Sequence, residues 1–210
     1  YGVRMHGRKA RDFFERGMEC VRREKDPALM AYMLGFGCHY ILDSTCHPYV
    51  NKVAKKGRVS HTLLEKEFDR MLMHETGKNP SHFYPSHGIK AKYFAAKTIH
   101  KVLPEIRTSN IYLSLKMMKI FTNLLVCDDG GLKKKMSEHA FSPVGKRRAA
   151  FITEFFMSLE PEVDCHEELQ KLDGLIEEAL GKAPDMLEEL AALAVRPGHL
   201  SDRWNLTFNG

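Results

Sequence analysis

The sequence has no long hydrophobic run and few cysteines. No apolar stretch in its 210 residues reaches the roughly 20 residues that a transmembrane helix needs. The five cysteines are widely scattered and form no C-x-x-C pair, which favours reduced thiols and a cytoplasmic protein. No signal peptide is visible, but the chain begins at Tyr1 rather than at a methionine, so secretion stays the alternative.

The chain also lacks a strong excess of charge. Its net charge is +5 with histidine neutral, and its pI is about 8.9. This mildly basic balance suits an anionic ligand but is too weak to indicate nucleic acid, so no stable nucleic-acid partner is expected. No internal repeat or low-complexity tract interrupts the chain. Its length and hydrophobic content suffice for a single domain over residues 1–210.

Alternating patterns typical of strands are missing too, so the sequence predicts an all-α fold. Asp26 and Pro27 have the residue types of a helix start, and Ser60 has that of an N-cap. Pro48 predicts that the helix from Pro27 ends near His47, because proline disfavours helical backbone in the residue before it. Further helices are expected over residues 8–24, 91–102, 110–127, 146–159, 165–180 and 184–195.

What the sequence does contain is a helical stripe of metal-ligand side chains. His39, Asp43 and His47 are spaced four residues apart, and so are His61 and Glu65. Residues four apart lie on the same face of a helix, so two helices would each present imidazoles and carboxylates in a row. Zinc binds histidine nitrogen and carboxylate oxygen, and the pattern therefore predicts a zinc site. The structural alternative is that these side chains are hydrogen-bonded polar groups of the core.

Two segments near this stripe are candidates for substrate contact. Lys55 and Lys56 lie in a basic connector, which is either a solvated loop or a cationic rim that attracts a phosphate group. Phe83 and Tyr84 lie in a loop over residues 77–88 that is rich in glycine, proline and serine. These two aromatic residues either form the wall of a substrate pocket or pin the loop to the core.

Together these segments resemble the zinc-dependent phospholipase C family of bacteria. The resemblance rests on Asp26-Pro27, on AYMLGFGCHYILD and CHPYV, and on SHTLLEKEFDRML, and it extends over nearly the whole chain. It implies a compact bundle of helices of the type shared with single-strand-specific zinc nucleases. In that superfamily, zinc ions at the bottom of a cleft bind a phosphate ester.

The resemblance also implies roles for individual residues. His39 and Asp43 match a pair whose aspartate bridges two zinc ions, and His6 is the counterpart of a further histidine on that side. His47, His61 and Glu65 match the ligands of another zinc ion. One to three ions are therefore implied.

The chain departs from the family in two places. Secreted members have two more residues between the bridging aspartate and the next histidine. The family also supplies ligands from an N-terminal segment, including an aspartate that is a candidate general base. Residues 1–210 contain no counterpart of that segment, so we expect it to be missing from this chain and the general base to lie upstream of Tyr1.

The expected activity is hydrolysis of a phosphodiester by metal-activated water, because zinc lowers the pKa of bound water to near 7. The resemblance implies a phospholipid or another small phosphodiester as the substrate, with transient contact to a membrane surface. Two alternatives stay open: a single-strand nuclease or nucleotidase with the same metal site, and a non-catalytic zinc-binding helical domain. A helical phosphohydrolase of the His-Asp type is disfavoured, because no His-Asp dipeptide occurs in the chain.

Overall fold

The computed structural model describes residues 5–126, 133, 135, 136, 139 and 154–210. In this part of the chain the secondary structure is helical and contains no strand, which confirms the all-α prediction. Among the described residues, no helix is both long enough and apolar enough to cross a bilayer. The elements are α1 (Arg11–Glu24), α2 (Pro27–Lys55), α3 (His61–Glu75), α4 (Tyr93–His100), α5 (Thr108–Leu124), α6 (His166–Val195) and a 3-10 turn (Asp202–Trp204).

The predicted helix over residues 146–159 is not seen where it can be checked. Residues 146–153 lie outside the described part of the chain. Residues 154–159 form turns and irregular backbone.

The second helix is longer than predicted, because α2 continues past Pro48 to Lys55. The prediction that it ends near His47 is wrong. A proline inside a helix costs about 3 kcal/mol, whereas burying a valine side chain contributes about 1.5–3 kcal/mol. Val50 and Val53 are both buried beyond the proline, so their burial offsets its cost.

Burial of apolar side chains beyond a proline also joins two predicted helices into one. The segments expected at 165–180 and 184–195 are a single helix, α6, with Pro184 inside it. Met186, Leu190 and Leu193 follow the proline and are buried. A break at Pro184 would expose this apolar row.

The chain divides into two compact units, of which the first comprises residues 1–49, 91–115 and 172–210. Its core contains a cluster of aromatic rings in which Trp204 packs edge-on against Phe14 at 4.6 Å and stacks on Tyr40 at 5.2 Å between ring centroids. The Tyr40 hydroxyl donates a hydrogen bond to the carbonyl of Arg203 at 2.8 Å. The segment after α6 is therefore part of this core, although it has little regular structure.

The second unit comprises residues 50–90 and 116–171 and contains α3. Ser60 caps this helix as predicted, since its side chain accepts a hydrogen bond from the Leu63 amide at 3.1 Å. Glu67 is fully buried; it pairs with Arg70 at 2.9 Å and accepts a hydrogen bond from the Glu162 amide at 2.9 Å. These contacts fix the helix that carries His61 and Glu65.

Candidate metal centre

Asp43 is the centre of a group of histidines in the first unit. The carboxyl is buried on α2, and its Oδ2 lies 3.4 Å from Nε2 of His39 and 3.7 Å from Nδ1 of His47. The four-residue spacing brings these two side chains to Asp43, because one turn of helix separates each from it. His6 approaches from the segment before α1 and places its Nε2 3.5 Å from the same oxygen.

The distances in this group fit the coordination shell of a metal ion. Zinc–ligand bonds of about 2.0–2.1 Å in a tetrahedral site put neighbouring ligand atoms about 3.3 Å apart. Direct hydrogen bonds from nitrogen to oxygen are shorter, with separations of about 2.7–3.2 Å. The ligand atoms of His6, His39 and Asp43 all lie within 4.8 Å of one another. These three residues therefore fit a zinc ion in their identity and in their spacing.

Aromatic rings border the histidines of this group. The Phe208 ring lies 4.9 Å from the His6 ring and 5.6 Å from the His39 ring, and Phe36 lies 5.7 Å from His39. Partial burial lowers the pKa of His39, against the opposing effect of the Asp43 charge, and His6 and His47 lower it further. A lowered pKa favours the neutral imidazole, which is the form that binds a metal.

His47 is oriented by the backbone of the C-terminal segment. Its Nδ1 lies 2.9 Å from the carbonyl oxygen of Phe208. A carbonyl only accepts hydrogen bonds, so Nδ1 carries the proton and Nε2 carries the lone pair. Hydrogen bonds of this kind set the tautomer and orientation of metal-binding histidines.

His61 and Glu65 form a second candidate pair, on α3. The His61 Nδ1 lies 3.1 Å from Oδ1 of Asn51, and its Nε2 lies 3.0 Å from Oε1 of Glu65. When Nδ1 donates to the Asn51 oxygen, Nε2 and the Glu65 carboxylate face each other as two acceptors. A proton or a cation is needed between them, and this pair therefore also suits a metal ion.

The four residues predicted to contact substrate differ in their surroundings. Phe83 lines a cavity of about 230 Å³ in the second unit. Glu65 and Asp69 lie on the wall of this cavity, and much of the rest is apolar, with contributions from Met73, Leu125, Val126, Phe155 and Met157. Tyr84 is exposed and is not part of that wall, and Lys55 and Lys56 are exposed at the end of α2.

Asp69 is a candidate functional residue that was not predicted from the sequence. It follows Glu65 by four residues and so continues the row of His61 and Glu65 on α3. Asp69 as a whole residue is exposed, but it lines the cavity, and the cavity wall removes part of the hydration of its carboxyl. This burial raises the pKa of Asp69 from 3.8 to about 6, and the nearby Glu65 charge raises it as well. The four-residue spacing from Glu65 can be read from the sequence, but the cavity that Asp69 lines can be seen only in the fold.

Replacing Asp69 with asparagine is expected to stabilise the protein in a pH-dependent way. The folded pKa lies above the unfolded one, so the ionised carboxyl destabilises the folded state fully above about pH 6. This penalty shrinks as the pH falls and vanishes only below the unfolded pKa of 3.8, where both states are protonated. Asp69→Asn should therefore raise the melting temperature at pH 8 and leave it near the wild-type value at about pH 3. Asp173→Asn, on an exposed part of α6, is the control. A loss of stability in Asp69→Asn at pH 8 would overturn this interpretation.

Comparison with known proteins gives one positive result. A search of curated proteins and a search of solved structures each returned no match. A family profile described as zinc dependent phospholipase C matches residues 1–112, which is more than half of the chain and includes all six candidate ligands. On this match, and with a helical fold that agrees with it, the chain belongs to the zinc-dependent phospholipase C family.

Proposed function

We propose that this protein is a zinc-dependent phosphodiester hydrolase that acts on a phospholipid or on a chemically similar small phosphodiester. The observation that carries the proposal is the convergence of His6, His39 and His47 on Asp43 in a chain of this family. When bound, zinc acts as a Lewis acid toward phosphoryl oxygens and lowers the pKa of water to near 7.

The protein's own residues supply ligands and hold them in place. His6, His39 and Asp43 would hold one zinc ion, and the resemblance assigns His47, His61 and Glu65 to a further one. The Phe208 carbonyl keeps the Nε2 lone pair of His47 available, and Asn51 does the same for His61 when its side-chain oxygen accepts from Nδ1. Within the first unit, Phe36 and Phe208 shield the histidines on one side. The His39 imidazole is still 44% exposed, which leaves a side open to substrate.

The cavity beside Glu65 favours a lipid-like substrate. Its wall is mostly apolar, and Lys78 covers the Phe83 ring at 4.5 Å, so this ring does not offer an open face for stacking a base. Apolar pockets accept acyl or glycerol groups, whereas nucleic-acid sites need aromatic stacking surfaces along a basic groove. We therefore assign Phe83 to the apolar part of the substrate and Lys55 and Lys56 to attraction of its phosphate. Transient contact with a membrane surface and a cytoplasmic location remain predictions.

The test compares two substrate classes on zinc-loaded protein. Short-chain phosphatidylcholine, phosphatidylethanolamine and phosphatidylglycerol are presented beside a single-stranded DNA oligonucleotide. We expect release of a phosphorylated head group from at least one lipid, loss of this activity with a chelator, and recovery on addition of zinc. Hydrolysis of the oligonucleotide alone would instead support the nuclease alternative. Zinc binding without turnover of any of these substrates would support a non-catalytic domain.

A further inference from the structure

The first unit contains a second concave region, outside the metal centre. It is a pocket of about 1100 Å³ between α1, the segment before it and residues 101–110. None of the candidate metal ligands lines it. Phe13 forms part of its wall and packs on Phe36 at 5.3 Å, and Phe36 in turn packs on His39 at 5.7 Å. The pocket wall therefore reaches His39 only through the Phe36 ring along this row of contacts.

The lining of this pocket is strongly cationic. Of the residues that the structure describes, five basic side chains and two acidic ones, Glu19 and Glu105, line it; the basic ones are Arg8, Arg16, Arg23, Lys101 and Arg107. Three separate segments of the chain contribute them. The cluster is therefore a product of folding rather than a single basic run in the sequence.

Among the described residues, two of the five cations have a carboxylate partner. Arg23 pairs with Glu24 at 3.1 Å, and Lys101 pairs with Asp26 at 2.8 Å. For Arg8, Arg16 and Arg107, no carboxylate lies at ion-pair distance among the residues that the structure describes. The pocket thus concentrates positive charge that its own wall does not compensate.

We propose that this pocket binds a small molecule that carries two or more phosphate groups. Each guanidinium offers parallel N–H donors that match phosphate oxygens, and several guanidiniums around one cavity suit several phosphates. Arg107 precedes the N-terminus of α5, and the partial positive charge of that helix end adds to the attraction.

The volume of the pocket and the apolar part of its lining indicate which ligands fit. Its volume of about 1100 Å³ slightly exceeds the roughly 300–1,000 Å³ typical of small-molecule sites and is far more than one phosphate ion fills. The lining also includes Phe13, Val102, Leu103 and Ile106, which can contact a less polar part of the ligand. A concave pocket of this kind suits a small molecule better than the flat surface of a bilayer. The inference does not depend on the proposed phosphodiesterase activity.

The experiment measures binding by titration calorimetry on the protein as purified. The probes are fructose 1,6-bisphosphate and fructose 6-phosphate, which differ by one phosphate group. The pocket variant combines Arg16→Ala and Arg107→Ala, and its control combines Arg196→Ala and Lys171→Ala, which remove two exposed cations elsewhere in the first and second units. Asp43→Asn serves as the metal-centre variant. All substituted side chains in the pocket variant and its control are exposed, and thermal unfolding verifies that each variant folds.

We expect the bisphosphate to bind more tightly than the monophosphate, and its affinity to fall with added salt because the attraction is electrostatic. The pocket variant should lose affinity by about tenfold or more, since two charge-assisted contacts are removed. The control and Asp43→Asn should keep the wild-type affinity. Each single variant, Arg16→Ala or Arg107→Ala, should show part of the loss and replaces the double variant if that one does not fold.

Two results would overturn the proposal. One is unchanged affinity for the bisphosphate in the pocket variants. If affinity is lost only in Asp43→Asn, the phosphate binds at the metal centre instead. The other is binding to phosphatidylglycerol vesicles with none to the soluble bisphosphate, which would make this region a membrane contact.

Discussion

Replacing Asp43 with asparagine is expected to remove at least one zinc ion and to lower phosphodiester hydrolysis by about a hundredfold or more. Asparagine keeps the shape of the side chain but removes the negative charge on which His6, His39 and His47 converge. Mutating a group that only orients a metal ligand typically costs about 10–100-fold in affinity or activity. A direct ligand should cost at least the upper end of that range.

The measurement combines metal content by mass spectrometry with the rate on the lipid that wild type hydrolyses. Asp12→Asn removes an exposed aspartate from α1 and is the matched control, expected to keep both zinc and rate. A full zinc load together with a wild-type rate in Asp43→Asn would show that Asp43 is not a ligand. Loss of rate with a full zinc load would point to a role in positioning instead.

Replacing Trp204 with alanine is expected to lower the free energy of unfolding by about 3–5 kcal/mol, the usual range for a buried tryptophan. Trp204 is completely buried between Phe14 and Tyr40, and its Nε1 donates a hydrogen bond to Glu189 at 3.3 Å. Proteins are typically stable by only about 5–15 kcal/mol, so this loss is a large fraction of the total.

Urea unfolding of the full chain measures this effect. Leu206→Ala lies in the same C-terminal segment, but its side chain is 48% exposed, and we expect a change within about 0.5 kcal/mol. The Trp204 variant should also bind zinc more weakly, because Phe208 in this segment supplies the carbonyl that orients His47. Equal unfolding midpoints for the two variants would mean that the segment after α6 does not stabilise the core.

Most of the helices could be predicted from the sequence, but the one expected over residues 146–159 is not seen at residues 154–159, and the breaks expected near two prolines were wrong. Apolar periodicity and cap residues located the helical segments, and both are local properties of the chain. Pro48 and Pro184 are local stop signals as well, yet α2 and α6 continue through them. The burial of Val50 and Leu190 decides the outcome at these sites, and burial depends on partners far away in the sequence.

In the candidate metal centre, too, contacts within one helix could be predicted and contacts between distant segments could not. His39, Asp43 and His47 could be predicted as one row because the helix itself sets their spacing. His6 was assigned only by resemblance, since packing brings it to Asp43 from a separate segment. The contact of His47 with the Phe208 carbonyl could not be predicted, because every residue carries a carbonyl and the C-terminal segment has no regular pattern. That His47 shares an ion with His61 and Glu65 stays a prediction of the resemblance.

The central claim, that these side chains bind zinc, is tested most directly by anomalous diffraction at the zinc absorption edge. Crystals of the zinc-supplied protein should show a peak about 2.0–2.2 Å from Nε2 of His39, Nε2 of His6 and a carboxylate oxygen of Asp43. A further peak is expected beside His47, His61 and Glu65. Crystals with zinc in the solution but no peak within bonding distance of Asp43, and with its histidines hydrogen-bonded to the carboxylate instead, would contradict the account.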